Sequence, residues 1–421
     1  MGISRREFTK FGAGLAIGVA APAVWTSAHA QSQPIRVGAS ASLTGPLAGT
    51  KNSAIGYELW RDDVNAAGGL LGRKVELVIY DDQSLPANVP GIYSKLVDID
   101  KVDFLFTPYG ANLTAPLMPF AKQRDRFVVG IHTLAANDKV KHDKYFVNAP
   151  WGPNGAEDWA AGFFDLAKSE GIKKIAILAA DTEFSKTAAA GGRRVSGNYG
   201  IEVADYQIYP PSNREFSAIL RNIRASNAEA VFVCSYPADS TAIARGLQEV
   251  GVGDQVRLFG GGMVGPQYAS LLQNLGPALN GITNFHIYVP EPTLKFAGIE
   301  SFLSRYAPIA KERQADVLGF YIPPFCYAAG QIISTAVKAT GTIDQAKVAQ
   351  WLHSNPIETI VGKITYNELG DWTERRVLMC QFQNIQGNDI EQFRQAGKQV
   401  IVDPKAYKSG KLIPFAEARK A

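Results

Sequence analysis

The sequence predicts an α/β protein of two Rossmann-like lobes, each a parallel sheet flanked by helices, with a small-molecule cleft between them. Three observations predict it. From residue 35 onward, short apolar runs alternate with runs of helix length, the signature of βαβ units. The alternation reaches Pro150-Trp151-Gly152-Pro153 and then starts again. The chain of 421 residues also exceeds the roughly 250–300 that one hydrophobic core serves.

The elements follow in order. Residues 35–39 read as a strand and 42–47 as a loop. A helix over 51–67 carries Ile55, Leu59 and Val64 near one face and stops at Gly68-Gly69. The strand 73–80 ends at Asp81-Asp82, two acids expected to be solvated and to cap the next loop. Helices over 89–100 and 112–123 alternate with strands over 102–106 and 127–131. After the restart come helices 154–169, 184–198, 216–226 and 238–250, interleaved with strands 174–179, 203–207, 230–233 and 257–259. Residues 282–289 read as a strand passing between the lobes. The run 314–340 reads as a long helix that Pro323-Pro324 must kink or begin. The last fifty or so residues lack clear periodicity, apart from a strand over 377–382. Trp151 and Trp159 are expected to pack under the second lobe rather than flank the cleft.

The first thirty residues read as an export signal. Ser4-Arg5-Arg6-Glu7-Phe8-Thr9-Lys10 fits a twin-arginine motif, and Ala28-His29-Ala30 supplies the small residues of a cleavage site, so the mature protein is expected to begin near Gln31 in the periplasm. The apolar stretch at 11–24 is too short and too rich in Gly and Ala to span a bilayer, and no later run reads as a span. Formal net charge is +4, and Arg5, Arg6 and Lys10 against Glu7 account for two of those charges. So weak and dispersed a charge points away from nucleic acid or an anionic membrane as partner.

No residue pattern calls for a metal, a cofactor or catalysis. Cys234, Cys326 and Cys380 are far apart, odd in number and set in apolar runs, and read as buried free thiols. Of the five histidines, His132 at a strand end is the candidate ligand contact, and none has a His or Cys at metal-ligand spacing. Gly260, Gly262 and Gly265 spell G-x-G-x-x-G, but the motif falls late in the second lobe. Pro266 follows it, and the first acid, Glu291, lies past the expected crossing.

Several runs resemble the periplasmic binding proteins of the branched-chain amino-acid and amide ABC uptake family, the leucine-binding-protein-like group of the type I fold. They are Ser42-Leu43-Thr44-Gly45-Pro46-Leu47-Ala48, the stretch Asn65-Ala66-Ala67-Gly68-Gly69-Leu70-Leu71-Gly72-Arg73-Lys74-Val75, Asp81-Asp82-Gln83-Ser84, Tyr209-Pro210-Pro211, and 363–371. The resemblance covers essentially the whole mature chain. It implies three crossings between lobes forming a hinge, closure around a ligand, and no reaction. The lobes then comprise 34–150 with 284–360, and 151–283 with 361–421. It also implies a monomer that hands its solute to an ABC permease and ATPase complex.

By position in that family, a ligand carboxylate would be held by Ala111 and Asn112 at a helix start, by His132 and Thr133 after a strand, and by Thr50 in the first loop. Phe184 and Tyr236 fall where the family places aromatic residues over the ligand. Tyr109 and Tyr321 also lie near the expected cleft, and Met263 lies at a strand end of the second lobe. There the sequence departs from the amino-acid binders. Phe259-Gly260-Gly261-Gly262-Met263-Val264 has no acid to meet a ligand ammonium, and an unpaired buried ammonium is costly. The expected solute therefore bears a carboxylate, as an amino-acid-like compound or, on this departure, an aromatic acid. Two alternatives are a periplasmic cofactor-dependent oxidoreductase using the same export route and a ligand-sensing domain of the same fold.

Overall fold

The computed structural model describes residues 33–419, so the expected export signal lies outside the described residues. Five strands make the first sheet: β1 (Ile35–Ala41), β2 (Val75–Asp81), β3 (Phe104–Tyr109), β4 (Val128–Ile131) and β5 (Tyr145–Asn148). All are parallel, in the order β2-β1-β3-β4-β5. Between them run α1 (Ser53–Ala66), α2 (Val89–Asp98), α3 (Gly110–Thr114) and α4 (Leu117–Gln123). The helix expected over 112–123 is thus two short helices, with Pro116 opening the second.

The second lobe begins with α5 (Ala156–Ser169) and continues through β6 (Lys174–Ala180), α6 (Glu183–Asn198), β7 (Glu202–Tyr209), α7 (Ser217–Ala225), β8 (Ala230–Ser235), α8 (Pro237–Glu249), β9 (Leu258–Met263), α9 (Ala269–Leu275) and β10 (Thr283–His286). The chain then returns to the first lobe as α10 (Ile299–Glu312), α11 (Pro323–Thr340) and α12 (Gln345–Ser354), followed by the hairpin of β11 (Ile357–Thr359) and β12 (Gly362–Ile364). It crosses once more to add β13 (Leu378–Phe382) and β14 (Gln399–Asp403), and ends in α13 (Phe415–Ala418). The second sheet has the order β14-β13-β10-β9-β8-β6-β7. β13 runs antiparallel to both its neighbours, β10 and β14, so the sheet is mixed rather than wholly parallel.

Several elements differ from expectation for local reasons. Of the two roles expected for Pro323-Pro324, starting the helix holds, since both occupy the first turn of α11, where a missing N–H costs nothing, and residues 314–322 lie outside it. Residues 299–312 form a separate helix despite the internal Pro308. β10 pairs with β9 and β13, so it belongs to the second sheet rather than running between lobes. Segment 366–372 packs on the first lobe, where Val147 N–H donates to Gly370 O and the Trp372 indole to Val147 O, whereas the sequence reading cuts at 283/284 and 360/361. Both acids cap the following loop, Asp81 through Gln83 N–H and Asp82 through Ser84 N–H, but Asp82 is buried and also accepts from the Ser40 and Ser42 hydroxyls rather than being solvated.

The return segment is tied to the first lobe by packing and polar contacts. The buried Trp60 indole on α1 donates to Ser334 Oγ on α11 at 2.9 Å. Arg305 forks onto Asp63, and Gln345 reaches the backbone of Phe127. Cys234, Cys326 and Cys380 are buried and free. Among the described residues, no helix is long and apolar enough to cross a membrane, and no group of His, Cys, Asp and Glu could hold a metal.

Candidate functional site

The carboxyl ends of the two sheets face one another, and the side chains there converge. β3 ends at Tyr109, β4 leads into His132, and α11 opens just after Tyr321. From the second lobe come Phe184 in the first turn of α6, Tyr236 before α8, and Phe285 on β10. These residues line one chamber with Gly110, Ala111, Trp151, Trp159 and Val264. Only about 10 Å³ remains among them, scarcely the space of one water, so a ring-sized ligand can enter only if the lobes part.

His132 sits at the centre of this wall. Its ring stacks on Tyr321 at 4.7 Å, leans on Phe325 at 4.8 Å, and meets Trp151 at 5.9 Å and Tyr109 at 6.3 Å. The side chain is 4% exposed, and neither ring nitrogen has a hydrogen-bond partner. Burial alone pushes its pKa down to about 3, so the imidazole is neutral. Its φ of 50° lies in the left-handed region, where a non-glycine residue is uncommon. Tyr109 and Tyr321 share a hydrogen bond at 3.0 Å between hydroxyls, and burial pushes the Tyr109 phenol up to about 12. Among the described residues, no Lys, Arg, Asp or Glu lines the chamber.

The aromatic wall owes its shape to glycines on β9. A Cβ at Gly261 would come within 2.7 Å of the Phe232 and Phe163 rings, and one at Gly262 would lie 2.9 Å from the Trp159 indole. Gly261 and Gly262 therefore make room for rings, while Gly260 packs its Cα against Thr283 O of β10, and this close packing accounts for the run without a dinucleotide. Trp159 uses that room to reach the chamber, meeting Phe184 at 5.3 Å and Phe285 at 5.1 Å.

Of the expected site residues, Ala111, His132, Phe184, Tyr236 and Tyr321 line the chamber. Four do not. Thr50 turns its hydroxyl back to Leu47 O at 2.8 Å. The Thr133 hydroxyl pairs with Tyr145, while its carbonyl accepts from the Trp151 indole at 2.8 Å. Met263 is wholly buried, its backbone bonded to the Asn284 side chain, and Val264 takes the wall position one residue on. Asn112 lies beside the chamber, where its Oδ1 accepts from Phe184 N–H at 3.0 Å across the two lobes. The helix bearing Ala111 and Asn112 is one short turn, too small to carry the dipole expected of a carboxylate-binding helix start. Trp151 and Trp159, expected as packing alone, both line the wall. A pair of tryptophans flanking the lobe junction was the available signal for them. Val264 and Phe285 sit in ordinary apolar strand sequence and gave none.

Fold and site together define a two-lobed binding protein, with a chamber of aromatic side chains at the lobe junction. The family of periplasmic binding proteins matches residues 34–381, and this chain belongs to it. It is 26% identical over 350 residues to a Leu/Ile/Val-binding protein homologue of Brucella melitensis, covering 82% of this chain and 90% of that protein. A branched-chain amino acid transporter substrate-binding protein from Streptococcus pneumoniae, solved with isoleucine, superposes with a TM-score of 0.70 at 17% identity, covering 88% of this chain and all of that one. A solute-binding protein of an ABC transporter from Rhodopseudomonas palustris BisB5, solved with 3,4-dihydroxybenzoic acid, has a TM-score of 0.69 at 20% identity, covering 84% and 94%. These relatives are binding proteins rather than enzymes, and the family is extracytoplasmic.

Proposed function

We propose that this chain is the solute-binding component of an ABC importer and captures a small aromatic carboxylic acid by closure of its two lobes. The observation that carries the reading is the chamber itself. Aromatic rings wall it, no charged side chain lines it, and both nitrogens of His132 lack partners. An α-amino acid brings an ammonium that such a wall leaves unpaired, whereas a benzoate-type acid brings a flat ring and one carboxylate. The neighbour with 3,4-dihydroxybenzoic acid supports the same choice.

In this reading His132, Phe184, Tyr236, Tyr321, Trp151 and Trp159 contact the ligand, Ala111 offers backbone N–H, and Asn112 latches the closed lobes. Thr50, Thr133 and Met263 act from behind. The protein leaves the cytoplasm by the twin-arginine route, works as a monomer, and delivers its solute to a permease and ATPase complex. A branched-chain amino acid is the second reading, favoured by the names of the relatives in sequence.

A thermal-shift and calorimetric panel decides between them. Benzoate, 3,4-dihydroxybenzoate and cinnamate are expected to raise the melting temperature, by the equivalent of about 2.7 kcal/mol at a hundredfold excess over Kd. Leucine, isoleucine and valine are expected to have no effect. A shift with leucine and none with the aromatic acids overturns the ligand class and leaves the binding function standing.

A further inference from the structure

We propose that His132 takes up a proton from solvent as the ligand carboxylate enters, so that each acid is captured together with one proton. This rests on the reading of the chamber as an acid-binding site and adds how the site accommodates the charge. A carboxylate sealed among aromatic rings needs a counter-charge or a proton. The groups facing His132 supply no fixed one. Tyr109 at the end of β3, Tyr321 and Phe325 at the start of α11, and Trp151 from the first crossing surround its ring, and Tyr236 and Phe285 complete the wall from the second lobe.

The nearby acids are engaged elsewhere. Asp239 accepts from the Tyr209 hydroxyl at 2.6 Å, and Asp316 accepts from the backbone N–H of Ala269, Leu318 and Gly319. His132 is thus the one lining side chain able to become a cation near neutral pH. Its geometry fits that role. Both ring nitrogens are buried and unpaired, yet a neutral imidazole can donate from only one of them. Protonation makes both into donors, and the carboxylate and imidazolium then neutralise each other. No covalent bond forms or breaks. The left-handed backbone at residue 132 holds the ring in the wall at some conformational cost, as strained residues at binding sites often do.

Above about pH 7 the parted lobes expose a His132 that is mostly neutral by the ordinary imidazole pKa of about 6.5, closure without ligand lowers that pKa further, and a free benzoate-type acid is ionised there. The complex therefore holds one proton more than its separated parts. By linkage, Kd approaches a tenfold rise for each pH unit above about pH 7, with a shallower rise between pH 6 and pH 7.

The test is calorimetric titration of the purified protein with benzoate and 3,4-dihydroxybenzoate at pH 6, 7 and 8, in buffers of different ionisation enthalpy. The expected result is uptake approaching one proton per ligand at pH 8, with the slope of Kd steepening toward tenfold between pH 7 and pH 8. His132→Asn is expected to bind more weakly, with the slope abolished, because Asn tolerates the left-handed backbone and keeps a donor but cannot titrate. Binding by the native protein with no buffer dependence and a flat Kd overturns the proton uptake while leaving the ligand class intact. Failure of both acids to bind at pH 6 overturns the acid-site reading, and this proposal with it. Should His132→Asn not fold, the buffer dependence of the native protein decides alone.

Discussion

Removal of the Asn112 side chain tests whether ligand affinity is set by lobe closure. Asn112 Oδ1 accepts the Phe184 N–H at 3.0 Å, joining the one-turn helix α3 of the first lobe to the start of α6 in the second. Phe184 lies in the first turn of α6, so its N–H has no intrahelical acceptor. With the lobes apart, water can serve that N–H; with the lobes closed, Asn112 does. Asn112→Ala therefore penalises the closed state selectively. A lost hydrogen bond that orphans a buried donor costs about 1–2 kcal/mol. Because only the closed form holds ligand tightly, the apparent Kd should rise by roughly 5–30-fold. Global stability should change little, since the Thr182 hydroxyl caps α6 independently through Ser185 N–H. The assay is calorimetric Kd for a bound aromatic acid beside the urea midpoint of the ligand-free protein. A Kd within twofold of the native value, or a loss of affinity matched by lost stability, refutes the latch.

Two further outcomes test the scaffold. At Gly330 on α11 an added Cβ would overlap the Trp60 indole, which is 1% exposed and fixed by its bond to Ser334, so Gly330→Ala should cost about 1–3 kcal/mol in urea unfolding; an unchanged midpoint would show that α1 and α11 can slide apart. At Asp371, burial and the neighbouring Asp138 push the carboxyl pKa up to about 7, so the folded state holds a proton that the unfolded chain releases near pH 4. Its contribution to stability is full below about pH 4 and is lost as pH rises through about 7, so Asp371→Asn should flatten the decline in melting temperature between pH 5 and 8. An identical pH profile in both proteins would place the titration elsewhere.

The βαβ frame was legible because its inner strands are parallel and buried on both faces, which writes them as short apolar runs separated by helices. β1, β6 and β8 stand within a residue or two of their expected positions for that reason. The antiparallel additions were less legible. β14 follows β13 after a stretch of turns, and its partner is chosen by long-range pairing that leaves no period in the sequence. β5, preceded by the polar Lys144 and closing on the polar Asn148, does not stand out as an apolar run. Within the site, His132 and Phe184 could be placed by resemblance, but Trp159 could not be told from core. It is 1% exposed, because closure buries the wall of the chamber as deeply as the interior of either lobe. The one-residue displacement from Met263 to Val264 arises because the wall is formed just past the end of β9, where Val264 has already left the strand.

The same wall bears on which solutes are refused. A zwitterionic amino acid brings two charges into a chamber whose lining can supply at most one, and that one is positive. On the proposed mechanism, protonated His132 would pair with the carboxylate and stand close to an ammonium that nothing else neutralises. The cost of that ammonium falls on the closed state alone, since in the open form it remains hydrated. Discrimination would then be expressed in closure rather than in first encounter. An amino acid could touch the first lobe without drawing the second one over it, and the Asn112–Phe184 bond would remain unmade. On the same mechanism an aromatic acid would satisfy His132, fill the space between Tyr321 and Phe184, and leave no charge unpaired, so closure would be favourable for that class. Ligand-dependent compaction in small-angle scattering therefore reports selectivity more directly than affinity does: compaction with benzoate and none with saturating leucine is the expected pair of results, and compaction with leucine would require an acceptor for its ammonium outside this chamber.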